Sequence, residues 1–210
     1  NVDELSPRQQ EVLDAALRLL VKEGARLTMS SVAAEANCSK ETLYKWFGGR
    51  DGLLVAIVRW QAAQVRVPAP NGATVDRGGL ESALRQFAED WLGVVSSERS
   101  LALNRLAIGH AGDEGADLGR IVLDNGRLAL GQRMKPVLEA ARAANLVLFE
   151  DAEEAFRTLF GLVARDVHIR LLLGERLELS LAQIAREAER AAAQFLSLYA
   201  SPGSKPQTVK

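Results

Sequence analysis

Residues 28–47, TMSSVAAEANCSKETLYKWF, decide the fold of the N-terminal part of the chain. Thr28 is placed to cap a first short helix, and Ser39 is placed to cap a second helix over residues 40–47. Only three residues separate the two helices, and one of them, Asn37, tolerates the left-handed backbone that a tight turn requires. The stretch therefore predicts two short helices joined by a tight turn.

The sequence on either side of this stretch predicts two further helices. Residues 6–9, SPRQ, combine a capping Ser, a Pro suited to the first helical position and a Gln that completes a capping box, and apolar residues follow at helical spacing. After a pair of glycines, another helix is predicted from Arg50 toward Val65. Residues 1–66 are therefore predicted to form one helical head that contains a helix-turn-helix.

The remainder of the chain also predicts helices, and no alternating run is long enough for a strand. Residues 67–79, VPAPNGATVDRGG, are rich in Pro and Gly and predict a linker. A second domain is predicted over residues 67–200, followed by a disordered tail over residues 201–210. Its predicted helices cover residues 80–95, 101–110, 117–144, 151–173 and 180–199, and Pro136 is expected to kink or split the third of them. The predicted fold class is all-α.

The composition limits the class of protein. The 210 residues carry 26 Lys and Arg against 27 Asp and Glu, so no overall field indicates a nucleic-acid partner. A single cysteine, Cys38, excludes a disulfide framework within the chain and a zinc site with several cysteines. No apolar run approaches the ~20 residues of a membrane helix, and no signal peptide opens the chain. We therefore expect a cytoplasmic protein without a membrane partner.

The second short helix carries polar and aromatic side chains on its outer side. Lysine and arginine side chains can neutralise phosphates, and threonine hydroxyls can bond phosphate oxygens. Lys40, Glu41, Tyr44 and Lys45 lie on this outer side, from which side chains could reach base edges in a major groove. From spacing alone, DNA binding and an ordinary solvent-exposed helical hairpin remain equal alternatives.

The stretch from Val12 to Ile57, with AALRLLVKEG, TMSSVAAEANCSKETLYKWF and GGRDGLL, resembles the N-terminal DNA-binding domain of TetR/AcrR-type transcriptional regulators. The later segments LNRLAIGHA and LFGLVARDVHIRLLLG resemble, more loosely, the AefR-like C-terminal domain of that family. The resemblance implies a helical C-terminal domain for effector binding and dimerisation. It also implies DNA contacts from Thr28, Ser39, Lys40, Thr42, Tyr44, Lys45 and Arg50.

Three positions depart from the family's pattern, two in the turn and one in the second short helix. The turn reads Asn37-Cys38-Ser39 where the family has Gly-Val-Ser, and the conformational tolerance of Asn and the apolar thiol both fit that geometry. Packing is favoured over a redox switch at Cys38 because a lone cysteine has no resolving partner. Glu41 stands where the family more often has a small residue. A carboxylate there repels phosphate unless it accepts a hydrogen bond from a cytosine amine.

No group of residues predicts catalysis or a bound cofactor. His110, Asp113 and Glu114 have the spacing of metal ligands on one helical turn, but neighbouring glycines indicate that the helix ends there, so no metal is predicted. His168, with Asp166 and Arg170 as neighbours, is assigned to ion pairing on a helix surface or to an interface, and not to catalysis. The chain has two His and no nucleophile beside a base, so we predict neither an enzyme nor a cofactor.

The C-terminal domain supplies candidates for two further sites. Ligand cavities combine apolar walls with a few polar groups, as do Trp91, Asn104, Arg105, Met134, Phe156 and Phe160. Apolar stripes on the last helices are wide enough to need partners, and the resemblance implies a four-helix dimer interface there. The residues assigned to it are Phe160, Val163, Val167, Ile184, Ala188, Ala191 and Phe195. Simple core packing is the alternative for both sets.

The sequence therefore predicts a ligand-responsive transcriptional regulator. It is expected to act as a repressor that binds a palindromic operator in double-stranded DNA as a homodimer, and to respond to a small molecule of unknown identity. One alternative is a DNA-binding regulator controlled by a protein partner. Another is a helical small-molecule carrier or enzyme without a role on DNA, which would not need Lys40, Tyr44 or Lys45.

Overall fold

The computed structural model describes residues 5–23, 26–68, 76–109 and 117–201. Over these ranges the chain is helical apart from its turns and one isolated antiparallel bridge between Val147 and Ala200, which confirms the all-α fold. None of the described helices is long and apolar enough to cross a membrane. In chain order the helices are α1 (Pro7–Glu23), α2 (Met29–Glu35), α3 (Lys40–Phe47), α4 (Arg50–Ala63), α5 (Arg77–Ser96), α6 (Glu98–Gly109), α7 (Asp117–Val122), a π-helical segment (Leu123–Leu128), α8 (Ala129–Ala143), α9 (Ala152–Ala164), α10 (Val167–Leu172) and α11 (Leu181–Leu198).

Several helices begin at the capping residues that the sequence predicts. At α1 the backbone N–H of Gln9 donates to the Ser6 hydroxyl at 3.2 Å, and the Gln9 side chain accepts the Ser6 N–H at 2.8 Å. Thr28 caps α2 in the same reciprocal way, and Ser180 with Gln183 does so at α11. These bonds join residues three positions apart, so the local sequence is sufficient to predict them.

Of the two effects predicted for Pro136, a kink or a split, the split is wrong, and the kink stays a prediction. Helix α8 runs from Ala129 to Ala143 through Pro136, which is exposed. Proline removes one backbone N–H donor from the helix, and the helix continues on both sides of this missing donor. The irregular part of this region is instead the π-helical segment, whose wider backbone turn precedes α8.

The single helix predicted over residues 151–173 is two helices in the structure. Helix α9 ends at Ala164, Arg165 adopts a φ of 45°, and α10 begins at Val167. A residue in the left-handed region cannot continue a right-handed helix. The apolar spacing continues across the break, so periodicity gives no sign of it.

The chain divides into two compact units. The head unit consists of residues 1–64 with residues 94–129, and the body unit consists of residues 65–93 with residues 130–210. The predicted boundary near residue 66 divides the chain by sequence order and stays a prediction. Much of the predicted linker, and all of the predicted tail beyond Ser201, lie outside the described residues.

The core of the head unit receives side chains from α6 and α7 as well as from α1, α2 and α4. Leu17 of α1 is buried in the same cluster as Leu103 of α6 and Leu118 of α7. An ion pair reinforces this packing, because Arg99 Nη1 lies 2.7 Å from Asp14 Oδ1 on α1. The helix-turn-helix is therefore supported by residues that lie well beyond the predicted head.

Aromatic side chains form the centre of the body unit. The buried ring of Phe156 lies 6.0 Å from the ring of Phe87 and 5.9 Å from that of Phe160, measured between centroids. Trp91 lies closer still, with its ring centroid 4.1 Å from that of Phe160. Helix α9, which carries Phe156 and Phe160, packs against α11.

Candidate nucleic-acid interface

Helices α2 and α3 form the predicted helix-turn-helix. Asn37 takes the left-handed conformation in the turn, with a φ of 49°, and the Ser39 hydroxyl accepts the backbone N–H of Thr42 at 3.1 Å to cap α3. Gly48 ends α3 with a φ of 75°. Leu43 is buried and fixes one side of α3 in the head core, so the opposite side faces outward.

Two arginines hold this motif together, and neither role follows from the sequence. Arg8 Nη2 donates to the carbonyl oxygens of Ala36 at 2.6 Å and Asn37 at 3.1 Å. The last carbonyls of a helix lack partners within the helix, and Arg8 satisfies them at the end of α2. Arg50 Nε donates to the carbonyl oxygen of Leu27 at 3.2 Å, just before α2. Both arginines bond residues more than 20 positions away, so no local pattern predicts these contacts.

An open groove of about 930 Å³ lies along the outer side of the motif. Four predicted DNA-contacting residues line it: Thr28, Lys40, Tyr44 and Arg50. Leu27, Met29, Ser30 and Glu41 line it too, although they are not among the predicted contacts. The side chain of Tyr44 is 54% exposed, which leaves its ring accessible from the groove. The start of α2 and the outer side of α3 thus form one surface.

The other three predicted contact residues do not line this groove. Ser39 and Thr42 face each other, with 3.0 Å between their hydroxyl oxygens, and Ser39 is engaged in capping α3. Lys45 is exposed on α3. These residues remain predicted contacts, and Ser39 has a structural role in addition.

Glu41 adds a negative charge to a groove that otherwise carries positive and neutral groups. Its own backbone N–H and the Ser39 hydroxyl lower the pKa of the Glu41 carboxyl, and the positive charge of Lys40 contributes in the same direction. The side chain is exposed and ionised at neutral pH. The groove therefore combines donors from Lys40 and Arg50 with one strong acceptor.

Cys38 is half-buried and packs against the edge of the head core, which is the packing role that the sequence favours. Of the two roles predicted for His168, ion pairing on a helix surface is wrong, because its Nε2 is buried and has no hydrogen-bond partner among the described residues. A role at an interface stays a prediction. Burial lowers the pKa of His168, so its imidazole is neutral at pH 7.

The metal-ligand spacing at His110, Asp113 and Glu114 lies outside the described residues. Within the described ranges, no group of three or more His, Cys, Asp or Glu side chains is arranged to hold a metal ion. The helix-turn-helix groove is therefore the site that the described side chains define most clearly.

The residues predicted to line a ligand cavity are divided between the two units. Asn104 and Arg105 belong to the head unit, whereas the body unit contains Trp91, Met134, Phe156 and Phe160. Met134 and Phe156 have no exposed surface and Trp91 is 5% exposed. The Asn104 side chain donates to the carbonyl oxygen of Ser100 on its own helix at 2.8 Å. These side chains have packing or bonding roles within the chain, and the ligand site stays a prediction.

The residues predicted for a dimer interface differ in exposure. Four are buried within the chain, namely Val163, Ala188, Ala191 and Phe195. Phe160, Val167 and Ile184 are half-buried. Nearby, Leu173 is 81% exposed and Leu181 is 86% exposed. The buried four already belong to the core of the body unit, so the apolar surface available to a partner lies at the other positions.

A helix-turn-helix that gathers lysine, arginine, hydroxyl and aromatic side chains in one exposed groove defines a DNA-binding transcriptional regulator. The family of bacterial regulatory proteins called the tetR family matches residues 12–57. The C-terminal domain of AefR-like transcriptional repressors matches residues 82–201. The chain belongs to the TetR family of transcriptional regulators.

Solved structures of other regulators share the fold. A TetR transcriptional regulator from Agrobacterium tumefaciens is 44% identical, with a TM-score of 0.80 over 95% of this chain and 98% of that one. The flavonoid-responsive regulator FrrA is 27% identical, with a TM-score of 0.66 over 93% of this chain and 97% of its own. Both alignments include the helix-turn-helix and the C-terminal helices.

Similarity to curated relatives covers shorter stretches. The regulator BetI of Rhizobium meliloti is 30% identical over an alignment of 119 residues that covers 50% of this chain and 59% of BetI. An uncharacterised HTH-type regulator of Mycobacterium bovis is 41% identical over 68 residues, or 32% of this chain. The matched stretch spans 34% of that mycobacterial relative, so the similarity concerns only part of it.

Proposed function

We propose that this TetR-family regulator is a repressor that binds a palindromic operator as a homodimer and releases it when a small molecule binds. The observation that carries the proposal is the groove in which Thr28, Lys40, Tyr44 and Arg50 lie together. The cations and the hydroxyl suit phosphate oxygens, and Lys40 and Tyr44 on the outer side of α3 suit base edges. One surface thus offers both kinds of contact that specific DNA binding needs.

The geometry of helix-turn-helix proteins on DNA supports a homodimer. One recognition helix reads a short half-site, and two copies related by a two-fold axis read two half-sites about 34–36 Å apart on the duplex. The chain also exposes large apolar side chains on and beside its last helices, with exposed fractions of 53% at Ile169, 81% at Leu173 and 86% at Leu181. Pairing of two copies would remove such a surface from water.

The dimer is tested by sedimentation velocity on Leu181→Glu and on Ile184→Arg. Leu181 is exposed at the start of α11, where an acidic side chain suits the helix dipole, so the first change leaves the core intact. We expect the wild-type chain to sediment as a dimer and both variants to shift toward monomer. Leu148→Glu, at a position that is 62% exposed elsewhere in the body unit, serves as the control and should stay dimeric. Dimers that persist in both variants would move the interface elsewhere.

The effector is proposed to be a small aromatic molecule that binds the body unit. The interior of the body unit contains the rings of Phe87, Trp91, Phe156 and Phe160. Aromatic rings favour stacked or edge-on aromatic partners. FrrA, with a related sequence and fold, responds to flavonoids. By linkage, an effector that lowers DNA affinity is itself bound less tightly by the DNA complex. Titration of a flavonoid into the DNA complex should therefore release the duplex, and Trp91→Phe should change the amount required.

Fluorescence anisotropy tests the DNA-binding proposal. The labelled duplex carries the intergenic DNA beside the chain's own gene, and a scrambled duplex of equal composition is the comparison. We expect a preference of about 10³ or more for the natural duplex, the lower range for specific regulators.

Two variants separate DNA binding from general charge effects in the same assay. Replacing Lys40 and Lys45 together by Ala should abolish the preference, because both lysines lie on the outer side of α3. Lys22→Ala removes a similar exposed charge from the last turn of α1 and should leave the preference unchanged. Equal affinity for the two duplexes, unaffected by either variant, would contradict the proposal.

A further inference from the structure

We propose that Glu41 is a specificity-determining residue that accepts a hydrogen bond from the N4 amine of a cytosine in the operator's major groove. The inference rests on the proposed operator binding and deepens it, because it names a base pair that each half-site must contain. It concerns the first turn of α3, where Glu41 is the second residue.

The position of Glu41 puts it among the groups that meet DNA. It lines the groove together with Thr28, Lys40, Tyr44 and Arg50, and its side chain is exposed. Leu43 anchors the other side of the same helix in the core. Any duplex that fills the groove and contacts Lys40 and Tyr44 therefore also meets the Glu41 carboxylate.

The carboxylate is available as an acceptor. No lysine or arginine in the described ranges forms an ion pair with Glu41 within 4.0 Å. The helical N–H of Glu41 itself and the Ser39 hydroxyl keep the pKa of its carboxyl below the ordinary value. At neutral pH it is therefore ionised, and an ionised carboxylate accepts hydrogen bonds but donates none.

The chemistry of the major groove selects cytosine as the partner. Phosphates repel a carboxylate, and the guanine and thymine edges present acceptors that repel it as well. Amine donors occur on cytosine and adenine, but the adenine amine lies beside the N7 acceptor, whereas cytosine has a carbon-bound hydrogen at the adjacent position. Glu41 thus attracts one base and repels others, as specific interfaces commonly do.

Selection from a pool of randomised duplexes tests the proposal with three full-length proteins: wild type, Glu41→Gln and Glu98→Gln. Glu98 is the control because it is exposed in the first turn of α6 and does not line the groove. Wild type and Glu98→Gln should select the same site, with a conserved C·G pair in each half-site. Glu41→Gln should lose the preference at that pair and keep it at all others, because an amide both donates and accepts.

Anisotropy on the selected duplex gives the magnitude. Changing the conserved C·G pair to T·A should lower the affinity of the wild-type protein for the duplex by roughly 5- to 150-fold, the range for loss of one good base contact. The same change should weaken Glu41→Gln by less than about threefold, because the amide can donate to thymine O4. Circular dichroism melting of each protein establishes that the exposed substitution leaves the fold intact.

Each remaining outcome overturns the inference in a recognisable way. If Glu41→Gln retains the wild-type preference for the C·G pair, Glu41 reads no base. If Glu41→Gln binds every duplex more tightly with no change in preference, the carboxylate faces a phosphate. If none of the three proteins selects a sequence, the proposed operator binding fails, and this inference fails with it.

Discussion

At the scale of single residues, the recognition surface depends on side chains that bond distant parts of the backbone. Arg8 is the clearest case: it lies in the first turn of α1 and donates to two carbonyl oxygens, one of Ala36 and one of Asn37. These carbonyls close α2 and begin the turn that leads into α3. A side chain outside the motif therefore stabilises the turn that positions the recognition helix.

Replacing Arg8 by Gln should lower the free energy of unfolding by about 1 kcal/mol, because water replaces part of the two lost hydrogen bonds. The affinity for operator DNA should fall as well, since the turn is less firmly held. Urea denaturation and anisotropy measure the two effects. Arg18→Gln is the control, because Arg18 is an exposed partner of Asp14 and such pairs contribute little. An equal effect of the two variants would argue against a special role for Arg8.

Asp90 joins the segment after α4 to α5 within the body unit. Arg66 Nε and Nη2 donate to its two carboxylate oxygens at 2.8 Å each, and the Arg66 backbone N–H adds a bond of 2.9 Å. Burial by itself would raise the pKa of Asp90, but these hydrogen bonds outweigh it and lower the pKa below the ordinary value of 3.8. The carboxylate is thus favoured in the folded chain.

The pH dependence of this contact has a definite sign. Because the pKa of Asp90 is lower in the folded chain, the unfolded chain binds more protons in acid, and stability falls as the pH drops through the folded pKa. The contribution is complete above the ordinary carboxyl pKa of about 4. Asp90→Asn should remove it, costing about 1 kcal/mol at pH 7 and flattening the acid limb, as urea unfolding across pH would measure. Glu89→Gln, whose partner Arg85 lies 3.9 Å away, should leave the acid limb nearly unchanged.

At the scale of helices, local capping signals predict where several helices begin, but they do not predict where a helix breaks or continues. The caps at α1, α2, α3 and α11 follow from residues three positions apart, and the sequence predicts them. The break at Arg165 and the continuous helix at Pro136 do not follow from such signals. Both depend on how the surrounding backbone is held, and apolar periodicity does not report that.

Gly131 in α8 is required by packing at one particular contact. A Cβ atom at this position would lie 2.9 Å from Cε1 of Phe156, which is fully buried. Gly131→Ala gains about 1 kcal/mol in helix propensity but strains the packing by about 1–3 kcal/mol. We expect a net loss of stability of about 1 kcal/mol in thermal or urea unfolding.

Gly93→Ala provides the matched comparison. It changes a glycine inside α5 where an added Cβ meets no atom within 4 Å. The higher helix propensity of Ala then acts without a steric cost, so we expect the free energy of unfolding to rise by about 0.5–1 kcal/mol. Stabilisation by both substitutions would mean that Phe156 moves freely away from α8.

At the scale of the whole molecule, the head unit is larger than the DNA-binding motif. Leu103 is 2% exposed and belongs to the core that supports the helix-turn-helix, although it lies within residues 67–200, the predicted second domain. Leu103→Ala should cost about 2–5 kcal/mol and reduce DNA binding at temperatures where the head loosens. Parallel melting and anisotropy curves measure this coupling. Leu148→Ala, at an exposed position of the body unit, should change stability by less than about 0.5 kcal/mol.

Local sequence signals are sufficient to predict the all-α class, the helix-turn-helix with its caps and left-handed turn, and the residue types on the outer side of α3. These features depend on residues a few positions apart, whose interactions do not require the rest of the fold. The family resemblance added the likeness to DNA-binding regulators, because it preserves that local pattern over residues 12–57.

Contacts between side chains that are far apart in the sequence follow from the tertiary structure. It brought Thr28 and Arg50 to the same groove as Lys40 and Tyr44, set Arg8 against the end of α2, and added α6 and α7 to the head core. In the structure Phe195 is buried in the core, although the sequence analysis assigned it to a dimer interface and gave core packing as the alternative. The physical reason is that an apolar stripe shows that one face of a helix is buried but does not show which element buries it. Long-range contacts depend on the path of the entire chain.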